Sequence, residues 1–381
     1  MKKNIVTILS FFILVQVSFA QLPNGERTFY YTQTGRTYEP GQLGIYSEMS
    51  FYSKVGDFIG QGLTPANFQA VNYWLVAGNA VFTYGIMDHL DATLAVRAYQ
   101  DTHKGDGYNV PDDLFLTIKA GGFKFGRNHF SQGFLTSFRF PTGKDHNYPF
   151  TEFAPASFQY AFMYAVSYYA DPYLPERGFN AHFNAGWWNY NELGTTLYTY
   201  PNGNTLNATV NSSDFRMALA FSYPTGLFDF RMELTGILFI QQPDPYVYSA
   251  EEWAFISPSI RYKPFKWLST DFGMDFRVSP AERNNTSGIP DISSTVDLPP
   301  NFPDWRVHMG FNINLNVLSS EKTNVVNYQQ AKARQQVELF ETVIEEKEKA
   351  EAVQDEIENL RSIRKDAEKE IEELKKLLDD E

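Results

Sequence analysis

The chain has no cysteine, which excludes disulfide staples, thiolate metal sites and cysteine nucleophiles while permitting an oxidising compartment. It has no excess of positive charge: Lys+Arg 32 stand against Asp+Glu 45, for a net charge of -13. Without a basic footprint in any part of the sequence, nucleic-acid binding is excluded. After residue 20 no apolar run approaches the ~18 residues of a membrane-spanning helix, so a helical membrane protein is excluded as well. Phosphate-binding glycine loops and His-Glu-x-x-His are absent, and the six histidines are scattered without metal-ligand spacing, so neither a cofactor nor a metal is expected.

What is present divides into blocks of different composition. Lys2 and Lys3, the apolar stretch Ile5 to Val15 and the small-x-small site Ser18-Phe19-Ala20 have the layout of a secretory signal over 1–20. Residues 21–40 read as an N-terminal periplasmic segment. All 25 Gly and all 20 Pro lie between 21 and 320, with most of the aromatic residues, whereas 321–381 has neither Gly nor Pro. One shared core for the two blocks is therefore excluded.

Within 41–320 hydrophobicity repeats every second residue. In the last such segment Val307, Met309, Phe311, Ile313, Leu315 and Val317 alternate with Arg306, His308, Gly310, Asn312, Asn314 and Asn316. Twelve segments of this kind are legible, and the connections between them alternate strictly between long and short. Long strands, apolar on one face, with every long loop at one end, predict an all-β transmembrane antiparallel barrel of about 12 strands. An even strand number places both barrel ends on the periplasmic side of an outer membrane. A soluble sandwich also alternates, but has no reason to gather its long loops at one end.

If the apolar parity faces lipid, the opposite parity lines the lumen. That set includes Arg97, Lys119, Arg139, Arg216, Arg231, Glu233, Arg261, Asp271, Asp275, Arg277, Arg306 and His308. Charged rings set the field on a passing solute, and an arginine excess favours small anions. The same charges, paired with one another, equally describe a lumen closed by salt bridges.

From about 325 to 379 apolar residues recur at spacings of three and four, through Val353, Ile357, Leu360, Ile371, Leu374 and Leu378. Sustained heptads without Gly or Pro predict a C-terminal α-helical coiled coil, about 80 Å long if continuous at ~1.5 Å per residue. Glu346 and Arg364 fall on that seam. The coil is expected in the periplasm, where it makes a homo-oligomer or holds a periplasmic partner.

His308-x-Gly310-x-x-Ile313-x-Leu315 resembles the terminal-strand signal read by the barrel assembly machinery of bacterial outer membranes. Tyr84-Gly85-Ile86-Met87-Asp88-His89-Leu90-Asp91 and Phe140-Pro141-Thr142-Gly143 resemble phrases of transporter-type barrels of the meta-pathway phenol-degradation kind. The resemblance implies an outer-membrane channel or transporter in contact with outer-membrane lipid, and brings no catalytic residues. A second function class is a non-conducting barrel that anchors an envelope-bridging coil. A third, the one enzymatic class, comes from His129-Phe130-Ser131-Gln132-Gly133, which resembles a phrase of outer-membrane phospholipases but lacks an identifiable orienting partner.

Overall fold

A computed structural model describes residues 29–56, 71–102, 112–142, 152–172, 175, 178–200, 202–247, 250–280, 302–316 and 321–379. The signal segment 1–20 and Gly143 lie outside the described residues. Two units are distinguished, 1–319 and 320–381, and each is taken by itself.

The first unit is a ring of twelve antiparallel strands. In chain order they are β1 (Gln42–Gly56), β2 (Val71–Met87), β3 (Leu90–Thr102), β4 (Asp112–Phe125), β5 (Phe130–Phe140), β6 (Gln159–Tyr169) and β7 (Asn180–Asn189). A small hairpin, β8 (Thr196–Thr199) and β9 (Thr205–Asn207), interrupts them. The ring resumes with β10 (Ser213–Pro224), β11 (Phe228–Gln241), β12 (Trp253–Phe265), β13 (Leu268–Arg277) and β14 (Trp305–Asn316). Each strand pairs with its neighbour in the ring, and β1 pairs with β14 from Gln42↔Asn316 to Phe51↔Val307, which closes the barrel. Closure leaves no edge strand with unpaired backbone groups.

The parity that the alternation predicts is the one observed. On β14, Met309 and Phe311 are exposed on the outside while His308 and Asn312 are buried inside. On β5 and β6, Phe134 and Phe162 face out, and Ser137, Arg139, Gln159 and Ser167 face in. A wall that is apolar outside and carries its buried polar and charged side chains within fits the hydrocarbon of a bilayer, where every backbone group must be satisfied within the protein. No helix among the described residues is long and apolar enough to cross a membrane.

The short turns use backbone conformations that few residues adopt: Gly126, Arg127 and Asn128 have positive φ in succession between β4 and β5, and His89 does so between β2 and β3. These reversals hold adjacent strands in register at one end. The β8–β9 hairpin, which the periodicity did not reveal, sits in a long connection at the other end.

The second unit is one helix, α1 (Glu321–Asp379). Its seam residues Val353, Ile357, Leu360 and Ile371 are exposed in the single chain. The side chains of Leu374 and Leu378 lie outside the described residues.

The inversion of inside and outside makes a direct prediction. Leu94→Arg, outward in the middle of β3, should cost about 2–4 kcal/mol in lipid-reconstituted unfolding titrations. Ser259→Ala, inward on β12, should stay within about 0.5 kcal/mol.

Candidate functional site: a lumen closed by an N-terminal strap

The wall surrounds a segment that sequence reasoning placed outside it. Phe29–Tyr38, part of the 21–40 stretch read as a periplasmic segment, lies inside the ring, with Phe29, Tyr30, Tyr31, Thr32, Thr34 and Tyr38 buried. The physical reason is composition: three successive aromatics and a run of hydroxyl and amide side chains carry a single charge, Arg36, so the segment is better matched to a polar interior than to bulk water.

The strap is anchored at its N-terminal end by one carboxylate. Glu233 on β11 accepts the backbone N–H of Tyr30 at 2.7 Å, of Tyr31 at 2.9 Å and of Thr32 at 2.9 Å, together with the Thr32 hydroxyl at 2.9 Å. Three consecutive amides converging on one buried carboxylate make an anion nest of charge-assisted bonds, stronger than neutral ones. Toward its C-terminal end the strap crosses the ring. Gln33 N donates to Asn184 Oδ1 at 2.6 Å, and the Asn184 amide returns a bond to Gln33 O at 2.8 Å. Gly35 N donates to Ser167 Oγ at 2.8 Å, and its carbonyl accepts from Gly122 N at 2.7 Å and Ser131 Oγ at 3.1 Å. Tyr38 N reaches Asp91 Oδ2 at 3.1 Å on β3. Gly35 is required where the strap meets β5, since a Cβ there would stand 2.1 Å from the Ser131 carbonyl oxygen.

Around the strap the lumen has two chemically different sides. On β2 to β7, Val81, Ala95, Phe115, Leu135 and Met163 face inward and pack with Trp188, Tyr190, Tyr30 and Tyr31 in one buried apolar cluster. On β10 to β14 the interior is ionic. Asp271 receives Arg261 through two bonds of 2.6 and 2.7 Å and Arg231 at 3.4 Å. Asp275 receives Arg306 at 2.8 and 2.9 Å, Ser257 at 2.7 Å and the Tyr31 hydroxyl of the strap. His308 sits between Asp275 and Glu48, its ring nitrogens 2.7 and 2.5 Å from their oxygens, and stacks on Tyr30 at 4.8 Å between centroids. The strap's two tyrosines thus sit between an apolar wall and a charge network and complete both.

All twelve residues expected to line the lumen belong to the ring's strands, and the described contacts show what most of them do. Arg216 is held by Asp214 through bonds of 2.7 and 2.9 Å and lies over the Trp188 ring at 4.4 Å. Arg139 pairs with Asp113, and Arg277 with Glu251 at 2.7 Å. Lys119 is buried and Arg97 half-buried. Sequence parity placed these side chains inside and grouped Arg231 with Asp229 and Glu233, and Arg277 with Asp271 and Asp275; in the structure Arg231 meets Asp271 and Arg277 meets Glu251. It also missed Asn184, Ser167, Asp91 and Tyr31, the residues that make or receive the strap. The signal available for the strap was the Phe29-Tyr30-Tyr31 triplet so soon before the first strand.

Toward the long-loop end, above Tyr30 and Tyr31, a cavity of about 100 Å³ remains, bordered by Arg139, Gln159, Trp188, Trp253 and Arg306. Gln159 accepts from Trp188 Nε1 at 2.7 Å, while its own Nε2, Arg139 Nε and Trp253 Nε1 are buried without a hydrogen-bond partner. Glu152 Oε1, on the same border, is a buried acceptor without a partner, so the cavity offers both donors and an acceptor, has room for a few waters or the end of a small polar solute, and has Tyr30 and Tyr31 of the strap in its lining.

The phospholipase-like pair is not assembled. His129 Nδ1 lies 2.8 Å from the Tyr169 carbonyl with its ring against Tyr168, whereas Ser131 points into the lumen and donates to Gly35. Among the described residues no hydrogen bond joins the two. His308 and Gly310 of the assembly-signal resemblance sit on β14 against β1, with Gly310 opposite Glu48 and a Cβ there meeting the Tyr46 hydroxyl at 2.6 Å. Ile313 and Leu315 pair with Ile45 and Leu43 near the closing end of the ring.

No protein-family model and no curated protein sequence matches the chain. Solved structures similar to it include the NanC porin, 10% identical, covering 71% of this chain and 100% of that one with a TM-score of 0.42. An outer-membrane channel from Pseudomonas putida F1 is 10% identical and covers 74% and 97% with a TM-score of 0.46. A further porin is 8% identical and covers 72% and 99% with a TM-score of 0.30.

The nest at Glu233 is testable by proteolysis. A single charge-assisted bond contributes about 1.5–3 kcal/mol, so Glu233→Ala should raise the fraction of released strap at least about tenfold. Trypsin cleavage at Arg36 in the folded, lipid-embedded protein should accelerate correspondingly, and Glu233→Gln should fall between the two.

Proposed function

We propose that the protein is an outer-membrane channel for small polar solutes whose lumen is shut by its own strap, with the short turns and both barrel ends toward the periplasm. The observation that carries this reading is the cavity of about 100 Å³ at the long-loop end, a vestibule whose lining includes Tyr30 and Tyr31 of a segment held only by noncovalent bonds. Twelve strands enclose more room than the eight-strand ring that side chains alone can fill, and less than the sixteen that leave a wide channel. Withdrawal of the strap turns the vestibule into a continuous passage.

The charge network argues for weak rather than strong ion selectivity. Arg139, Arg216, Arg231, Arg261, Arg277 and Arg306 each face a carboxylate, which neutralises the field on which an anion preference rests. Solute choice then rests on hydrogen bonding and on the aromatic surfaces of Trp188 and Trp253. The alternative, a permanently plugged barrel that anchors the C-terminal helix, is favoured by the density of the strap's bonds.

Conductance separates the two. In planar bilayers the full chain should give rare, small openings, and a chain lacking 21–38 should give steady steps at least severalfold larger, with a reversal potential near zero in a salt gradient. Arg216→Glu in the strap-deleted chain should move that potential toward cation preference. A strap-deleted barrel that inserts, shows the heat-dependent gel shift of a folded barrel and stays silent would overturn the channel and leave the anchor.

A further inference from the structure

The exposed seam of α1 has a definite partner chemistry. Setting Ile357 at position a of a heptad puts Ala350, Arg364, Ile371 and Leu378 also at a, and Val353, Leu360, Ala367 and Leu374 at d. Val353, Leu360 and Ile371 are each more than half exposed in the single chain. A helix of 59 residues with this much apolar surface in water gains little from propensity alone; burying the seam is what stabilises it.

We infer that the occupant of this seam is a second copy of the same helix, parallel and in register. Three features point that way. First, β-branched Ile at a with Leu at d, as in Ile357/Leu360 and Ile371/Leu374, is the packing preference of two parallel strands. Second, the flanking charges are self-complementary: Glu356 at g faces Arg361 at e of the other copy, and Glu370 and Lys375 repeat the arrangement one pair of heptads on. Third, the one charged a position within the seam's core is equipped for it. Arg364 is already paired with its own Glu368 at 2.8 Å, so its stem can cover the seam while its charge stays compensated at the rim. A lone polar a residue of this kind fixes register and strand number at a cost in stability.

The antiparallel arrangement that would set Arg364 opposite Glu346 turns about residue 355. It brings Glu356 against Glu356 and Lys347 against Arg361, two like-charge contacts. This inference deepens the homo-oligomer that the heptad pattern predicts for the C-terminal helix and is independent of whether the barrel conducts.

The absence of native cysteine makes the test clean. In the full-length protein in membranes, Leu360→Cys alone should form a disulfide-linked dimer on mild oxidation, because d faces d only in a parallel, in-register pair. Ser362→Cys, on the outer face of the same turn, should remain monomeric. Glu356→Lys should lower the yield of the Leu360→Cys dimer by roughly tenfold, and adding Arg361→Glu should restore it. The heat-dependent gel shift of each variant reports the barrel separately, so failed assembly is not mistaken for failed pairing. The inference is overturned if folded Leu360→Cys stays monomeric, if Ser362→Cys links as well, or if Leu360→Cys links only when mixed with Ala350→Cys, the antiparallel signature.

Discussion

A ring of twelve strands encloses more space than its own inward side chains can fill, and the way this protein fills it governs the rest of the structure. Water alone would leave the buried carboxylates and guanidinium groups solvated and the lumen open. Instead a ten-residue strap enters, and Glu233 gathers three of its backbone amides at one point. With that point fixed, Tyr31 reaches Asp275, Tyr30 stacks on His308, and Gly35 settles against Ser131 and Gly122. Strap and wall therefore form one interior, in which neither the apolar side nor the ionic side is complete without the two tyrosines.

The electrostatics follow from the same confinement. Charges inside a barrel are only partly hydrated, so an unpaired one is expensive and a paired one is tolerable. Arg139, Arg216, Arg231, Arg261, Arg277 and Arg306 accordingly sit on aspartates or glutamates, several with two bonds. Pairing dense enough to satisfy the charges also removes the net field, and the functional weight passes from charge to hydrogen-bond donors and aromatic faces around the remaining cavity. The C-terminal helix stands apart from this logic. Its charges lie in water in i,i+4 pairs such as Lys347–Glu351 and Arg364–Glu368, and its information is in the seam.

The barrel itself was legible in the sequence because its physics is local. A strand between lipid and a polar interior must alternate at every residue, and β14 states this over its full length. The alternation of long and short connections carried the topology, and parity carried the inward placement of Arg216, Asp271 and His308. What was not legible depends on contacts between residues far apart in the chain. Nothing in the neighbourhood of Glu233 announces that it will hold residues some 200 positions earlier, and Asn184 and Ser167 look like ordinary inward polar residues. The inward apolar patch of Phe115 and Leu135 was similarly hidden, since parity predicts which way a residue faces and not what it meets.

The position of the strap can be measured in cells. In a chain without native cysteine, Gln33→Cys and Asn184→Cys place two thiols where the structure has the residue 33 backbone 2.6–2.8 Å from the Asn184 side chain. Oxidation of intact outer membranes should give an intramolecular disulfide in most of the folded protein, as should the wall pair Thr83→Cys and Thr93→Cys, whose hydroxyls are 2.9 Å apart. A wall pair that links while the 33–184 pair does not would show that the strap lies outside the lumen, and would contradict the account given for this barrel.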